Sequence, residues 1–290
     1  MQQNNMPAKL KLTAAMAIFG TIGIFVHYIG LPSALISMVR GYLGFVFLFL
    51  VLRLRHVPLS KEAFRENAAW LIISGAFIGI NWILLFEAYR YTSVAVATLC
   101  YYMQPVFLTL ASPFFLREHI SGRKMICVLV ALLGMSFVSG VWTQDLSGSA
   151  QFTGVLLGLG AALFYTGVIL CNKKLRRIES AQQTMWQLLS AAVVVTPYVL
   201  LTSQNARLSV SWLQAVLLLI VGLFHTGFAY VLYFGQMRYL SAQTIAILGY
   251  IDPVVAIVLS ALVLKEALTG TGILGAVLIL GAALISELYG

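Results

Sequence analysis

The sequence predicts an all-α integral membrane fold of ten transmembrane helices arranged as two inverted five-helix repeats. Three observations predict it. Apolar runs of membrane-spanning length recur from one end to the other, charged residues are scarce and gather in the breaks, and part of the first half matches part of the second without a gap.

Of the 290 residues 61% are hydrophobic and 9% charged, against roughly 25% charged in a soluble domain. A helix satisfies its own backbone in lipid, and about 20 apolar residues cross ~30 Å of hydrocarbon. Such runs lie near 10–30, 33–52, 68–89, 92–116, 122–142, 152–171, 181–202, 211–235, 240–264 and 269–288. Lys9 and Lys11 precede the first run, as in a secretory signal. That run is long for a signal, no small-residue cleavage pattern follows it, and nine more runs come after, so it is expected to stay in the protein. The longest polar break, Arg53 to Asn67, is too short to form a soluble core. Cys100, Cys127 and Cys171 have neither metal-site nor disulfide-framework spacing and read as packing residues.

The net charge of +9 invites a nucleic-acid reading, but the charges are placed as an orientation signal. With the N-terminus inside, fourteen cations fall at cytoplasmic ends: Lys9, Lys11, Arg53, Arg55, Lys61, Arg65, Arg117, Arg123, Lys124, Lys173, Lys174, Arg176, Arg177 and Arg238. Three fall outside, Arg90, Arg207 and Lys265, and Arg40 lies within a helix. Short basic loops resist translocation, so both termini are expected in the cytoplasm. No nucleic-acid partner is expected.

Residues 90–122 align with 238–270 at an offset of 148. Ten of these 33 positions are identical, among them Arg90/Arg238, Tyr91/Tyr239, Ser93/Ser241, Tyr102/Tyr250, Pro105/Pro253, Ser112/Ser260, Glu118/Glu266 and Gly122/Gly270. Five helices before the break at Trp142 to Gln151 and five after it reverse the second copy across the membrane. That inverted repeat is the arrangement by which many secondary transporters place a solute site between halves near the midplane.

These residues also carry a family resemblance. The pattern Asn81, Phe86, Ala88, Tyr91, Pro105, Glu118 and Gly122, with the small residues Ala131 to Gly134 beyond, resembles the EamA family of the drug/metabolite transporter superfamily. The second half repeats it as Tyr239, Ser241, Asp252, Pro253, Glu266 and Gly270. The resemblance implies a first EamA repeat over 1–142 and a second over 152–290. Family members usually carry Glu before the second proline, so Asp252 is a shortened version that keeps the charge.

Several residues are candidates for the site. Pro105 and Pro253 fall near mid-helix, where a missing N–H and the ring disturb the preceding turn. They are expected to kink or break a pair of helices lining a central cavity, with Tyr102 and Tyr250 facing the same space. Aromatic and amide side chains in other spans fit a mostly apolar pocket with a few orienting hydrogen bonds. They are Asn81, Trp82, Tyr101, Gln104, Tyr165, Trp186, Gln187 and Tyr230, with Phe19, His225 and Tyr233 around them. For any single one of these, interhelical packing is the competing account. Tyr91, Trp142 and Trp212 read as belt residues at helix ends.

Arg40 inside the second span must face protein or water. Glu87, a freed carbonyl or a solute carboxylate would pair it. Asp252 stands 12 residues from each end of a helix at 240–264, about 18 Å along the axis from either end. An ionised carboxylate at that depth needs a cation, donors or water, and its counterpart Gln104 shows that the fold does not demand an acid there. Asp252 and Arg40 are therefore the candidates for coupling or charge pairing. Glu118 and Glu266 read as capped helix ends, Gly75/Gly79 and Gly154/Gly158 as close helix contacts, and His27 and His225 as interhelical hydrogen-bonding groups or proton carriers.

No nucleotide loop, metal-ligand cluster or nucleophile–base pair appears, so no cofactor, metal or catalytic residue is expected. The resemblance and the aromatic middle imply a multi-pass transporter of the cell membrane, acting as a monomer or homodimer. It is expected to export an amino acid or related amphiphilic metabolite by alternating access, with a proton or sodium ion as candidate coupling ion. The alternative is a membrane-embedded enzyme acting on a lipid intermediate. Such an enzyme would cluster several titratable groups near one interface, and they are sparse here.

Overall fold

The computed structural model of the protein describes residues 6–115, 122–138, 150–203, 210–237, 239–240, 248–266 and 269–289. Expectations for Arg117, Glu118, Trp142, Arg207, Arg238, Ser241 and the first part of the ninth run lie outside these residues. The described chain forms α1 (Met6–Ile29), α2 (Ser33–Leu54), α3 (Lys61–Tyr91), α4 (Val94–Tyr101), α5 (Gln104–Phe115), α6 (Gly122–Val138), α7 (Ala150–Asn172) and α8 (Ser180–Ser203). It continues as α9 (Trp212–Leu219), a π-helical stretch (Ile220–Phe228), α10 (Ala229–Met237), α11 (Ile251–Val263) and α12 (Gly270–Tyr289). Seven spans are long and apolar enough to cross a membrane, and three shorter apolar helices lie at Met125–Val138, Ile251–Val263 and Gly270–Ile285. Among the described residues there is no strand.

Three departures from the sequence expectation have physical causes. Helix α3 begins at Lys61 instead of 68, because Ser60 caps it by accepting from the Ala63 N–H at 3.1 Å and Glu62 suits the positive end of the helix dipole. The run at 92–116 is two helices meeting at a turn over Tyr102 and Met103. The eighth span widens over Ile220–Phe228 into a π-helix, and Thr226 Oγ1 there donates to the carbonyl of Val221, five residues back, at 3.0 Å.

Polar contacts sort the helix ends into two groups. At one, Gln214 Nε2 donates to Ile29 O at 2.9 Å, Ser33 Oγ to Glu87 Oε2 at 2.6 Å, and the Val94 N–H to Glu266 Oε2 at 3.0 Å. Gly30 ends α1 there with φ +59, a left-handed turn that suits glycine. At the opposite end Asn67 clamps the backbone of Arg176, donating to its carbonyl at 2.7 Å and accepting from its N–H at 2.9 Å.

Small residues set the distances between helices. A Cβ at Gly158 would lie 2.7 Å from Cys100 Cβ, joining α7 to α4, and one at Gly20 would lie 2.6 Å from Asp252 O, joining α1 to α11. Between α6 and α12, Gly134 and Gly275 face each other, with a Cβ on either falling 2.8 or 2.5 Å from the other's carbonyl oxygen. The outer surface is apolar, as a lipid-solvated fold requires: Phe114 is 84% and Leu201 71% exposed.

Candidate solute site

The helix break after α4 is the centre of the site. Tyr102 and Met103 donate their N–H groups to Thr98 O and Cys100 O at 2.9 and 3.1 Å, closing α4, and Val106 N to Met103 O at 3.0 Å opens the next helix. Pro105 therefore lies in the first turn of α5, and Pro253 in the first turn of α11 after a turn at Tyr250. A first-turn N–H has no partner within its own helix, so proline costs little there. The two prolines start new helices where the sequence placed them mid-helix.

Across the break the two halves of the sequence meet. Tyr102 donates its hydroxyl to Asp252 Oδ2 at 2.9 Å, and the Tyr102 and Tyr250 ring centroids are 6.4 Å apart. Tyr101 packs on Tyr102 at 5.9 Å and on Tyr165 at 5.5 Å, while Phe19 meets Tyr230 edge-on at 5.4 Å. Tyr101, Tyr102, Gln104, Tyr165, Tyr230, Tyr250 and Asp252 are each partly exposed, and Tyr101, Tyr102, Gln104, Tyr250 and Asp252 lie at or beside the two helix breaks. Such surfaces, aromatic with one carboxylate, suit a solute carrying an apolar body and a polar or cationic group.

Arg40 lies deeper, 5% exposed, on α2. Its Nε donates to Thr226 Oγ1 at 2.6 Å. Its guanidinium lies 4.0 Å from the Trp82 ring centroid and 5.6 Å from that of Phe86, which gives the charge two aromatic faces. The sequence suggested Glu87 as its partner. Glu87 instead accepts from Ser33 and forms an ion pair with Arg90 at 3.1 Å.

The other amides are tied into helix packing. Asn81 Nδ2 donates to Ala161 O at 2.6 Å. Gln187 Nε2 donates to Ser74 Oγ at 2.7 Å and Asn172 Oδ1 at 2.6 Å, joining α8 to α3 and α7. At Gln104 it is the backbone carbonyl, not the side-chain amide, that accepts from the Thr166 hydroxyl at 3.3 Å. Trp186 packs on Phe64 at 4.5 Å and Phe45 at 6.4 Å, towards the Asn67 end. Its Nε1 is buried without a hydrogen-bond partner among the described residues.

Long-range contacts of Arg40, His225 and Glu266 were not read from the sequence. Thr226 is the acceptor for Arg40 across 186 residues, and the only hint was a polar pair, His225 and Thr226, in an apolar run. His225 itself bonds Thr21 Oγ1 through Nε2 at 2.7 Å, an interhelical tie. Glu266 caps a helix as expected, but the helix is α4, distant in sequence.

The EamA-like transporter family model matches residues 7–140 and again 152–287. The chain is 28% identical over 252 residues to the transporter YxxF of Bacillus subtilis, covering 87% of this chain and 80% of that one. It is 26% identical over 165 residues to the pseudopaline exporter CntI of Pseudomonas aeruginosa, covering 57% and 55%. A solved crystal structure has the same fold, with a TM-score of 0.68 and 19% identity over 98% of both chains. The family and these relatives are transporters, which removes the membrane-enzyme alternative. The chain belongs to the EamA-like transporter family, multi-pass membrane proteins that move small molecules across a lipid bilayer.

Proposed function

We propose that the protein exports an amino acid or related amphiphilic metabolite by alternating access, through a cavity between two inverted five-helix repeats, residues 1–142 and 152–290. The observation that carries this reading is the meeting of Tyr102 with Asp252 and Tyr250 at helix breaks that the repeat makes equivalent. The seven long and three shorter apolar helices supply the ten spans the reading needs. Pairwise exchange supports it as well. Helix α1 lies against α11 as α7 lies against α5. Gly134 meets Gly275, and their counterparts at an offset of 148, Ala282 and Cys127, line one crevice. Aromatic walls from Tyr101, Tyr102, Tyr165, Tyr230 and Tyr250 hold the solute body, with Asp252 and Arg40 as charged groups. Trp82 lines the cavity through Arg40. In this reading Asn81, Gln187 and Trp186 belong to its supporting shell, and Gln104 lines the cavity opposite Asp252. Export is the direction named for the pseudopaline relative.

Purified protein in liposomes, assayed for flux of amino acids, amines and aromatic metabolites with and without a proton or sodium gradient, is expected to show saturable movement of at least one class. No flux above protein-free vesicles for any of them overturns the reading. The cationic asymmetry also supports a cytoplasmic position for both termini. Reporter fusions at residue 290 and in the 143–151 loop are then expected on opposite sides of the membrane. Reports from the same side overturn both the topology and the inverted repeat.

A further inference from the structure

Arg40 places a buried charge in the centre of the bundle with no opposite charge within ion-pair distance among the described residues. Among the described residues, ion pairing within 4.0 Å occurs at Arg90 and Glu87, and Asp252 is bound by Tyr102. The described hydrogen bonding of Arg40 uses Nε alone, through Thr226. Its two terminal nitrogens make none among the described residues, and neither counts among the buried nitrogens lacking a partner. They therefore open onto accessible space. Tyr230, Tyr101, Tyr89 and Asp252 are the titratable side chains near enough to act on the charge, and Tyr101, Tyr230 and Asp252 among them belong to the cavity proposed above.

Each contact to the guanidinium fixes its orientation and leaves the fork free. Thr226 is held in turn by its bond to Val221 O at 3.0 Å, so the π-helical stretch sets where Nε points. Trp82 at 4.0 Å covers one face of the guanidinium. What stays open is the planar edge with paired N–H donors, the edge that binds a carboxylate through two parallel hydrogen bonds. The geometry points to Arg40 as the carboxylate-binding group of the transported solute. The solute class is then an organic carboxylate, its body against the tyrosines and any ammonium group towards Asp252. This assignment rests on the cavity reading above and deepens it.

The test is binding to the purified, full-length protein, followed by thermal unfolding and tryptophan fluorescence. The probes are benzoate, phenylacetate and L-phenylalanine beside benzamide, phenylacetamide and L-phenylalaninamide. The wild type is expected to bind at least one carboxylate tenfold or more tightly than its amide. Arg40→Gln is expected to abolish that preference by weakening carboxylate binding far more than amide binding, and Arg40→Lys to retain part of it. Should Arg40→Gln fail to fold, Thr226→Val is expected to weaken carboxylate binding and Thr226→Ser to restore it. Equal affinity for acid and amide, no binding of any carboxylate, or a preference that survives both Arg40→Gln and Thr226→Val overturns the assignment. Flux in liposomes separates the two readings. Transport without carboxylate preference removes the Arg40 site and leaves the transporter reading standing, whereas tight carboxylate binding without flux of any solute does the reverse.

Discussion

Asp252→Asn is expected to leave the fold intact and to cut solute flux at least tenfold, a rise of about 1.4 kcal/mol in the transport barrier. Asparagine has the shape of aspartate and still offers an oxygen to the Tyr102 hydroxyl, now 2.9 Å from Oδ2. The backbone around it is unchanged, including the close approach of Gly20 to the Asp252 carbonyl. Only the charge and the ability to carry a proton are lost. The repeat-equivalent position already holds a neutral amide, Gln104, so a carboxylate is not needed for the helix break itself. The measurement is flux in liposomes with the proton gradient on and off, with circular dichroism and melting temperature as the control for folding. Loss of gradient-driven accumulation with retained downhill exchange identifies proton coupling. Weakened affinity confined to cationic or zwitterionic solutes identifies direct pairing. An unchanged rate and pH dependence removes both roles and leaves Asp252 as a fixed structural acceptor.

Gly75→Val is expected to destabilise the protein by about 3 kcal/mol or more, since overfilling a tightly packed contact forces backbone apart. A Cβ at residue 75 would stand 2.5 Å from Ser190 Cβ and 2.6 Å from the Gln187 carbonyl oxygen on α8. Neither neighbour is the far end of a flexible chain, so α8 itself would have to move. That movement would also strain the bonds from Gln187 to Ser74 and Asn172. Gly281→Ala is the control, because nothing lies within 4 Å of a Cβ there. Unfolding in detergent is expected to show a large fall in melting temperature for the valine variant and none for the control. A valine variant as stable as wild type would mean that α3 and α8 pack less closely than described.

The helical class and most span positions were legible because hydropathy is a local property averaged over a whole helix. The polar start of α3 was missed because hydropathy ignores helix that projects beyond the apolar run, although Ser60 and Glu62 form a readable start signal. The π-helical stretch left no comparable mark. At the site, Tyr102, Tyr250 and Asp252 could be singled out together because the repeat made two distant positions comparable. Arg40 was found by its charge alone, and its real neighbours Thr226, Trp82 and Phe86 lie on other helices that no local pattern connects to it. The same blindness hid the bonds of Asn81 and Gln187 to neighbouring helices. A buried amide reads the same in sequence whether its donors face a cavity or, as here, a neighbouring helix.

The contact of Glu266 with α4 has a consequence for how that end of the bundle would come apart under the alternating access proposed above. One carboxylate oxygen there accepts both the first N–H of α4 at 3.0 Å and the Ser260 hydroxyl at 2.7 Å. Behind it Val94, Phe86 and Tyr89 are packed out of contact with water. Apolar layers resist parting in proportion to area, roughly 25 cal/mol per Å² with nothing given back. A hydrogen bond to a charged group behaves otherwise, since water can replace each partner and the net loss is only about 1.5–3 kcal/mol. The Glu266 end thus combines a dry plug with a polar clasp at its rim, and a clasp of that kind is undone by wetting, from the side that water reaches first.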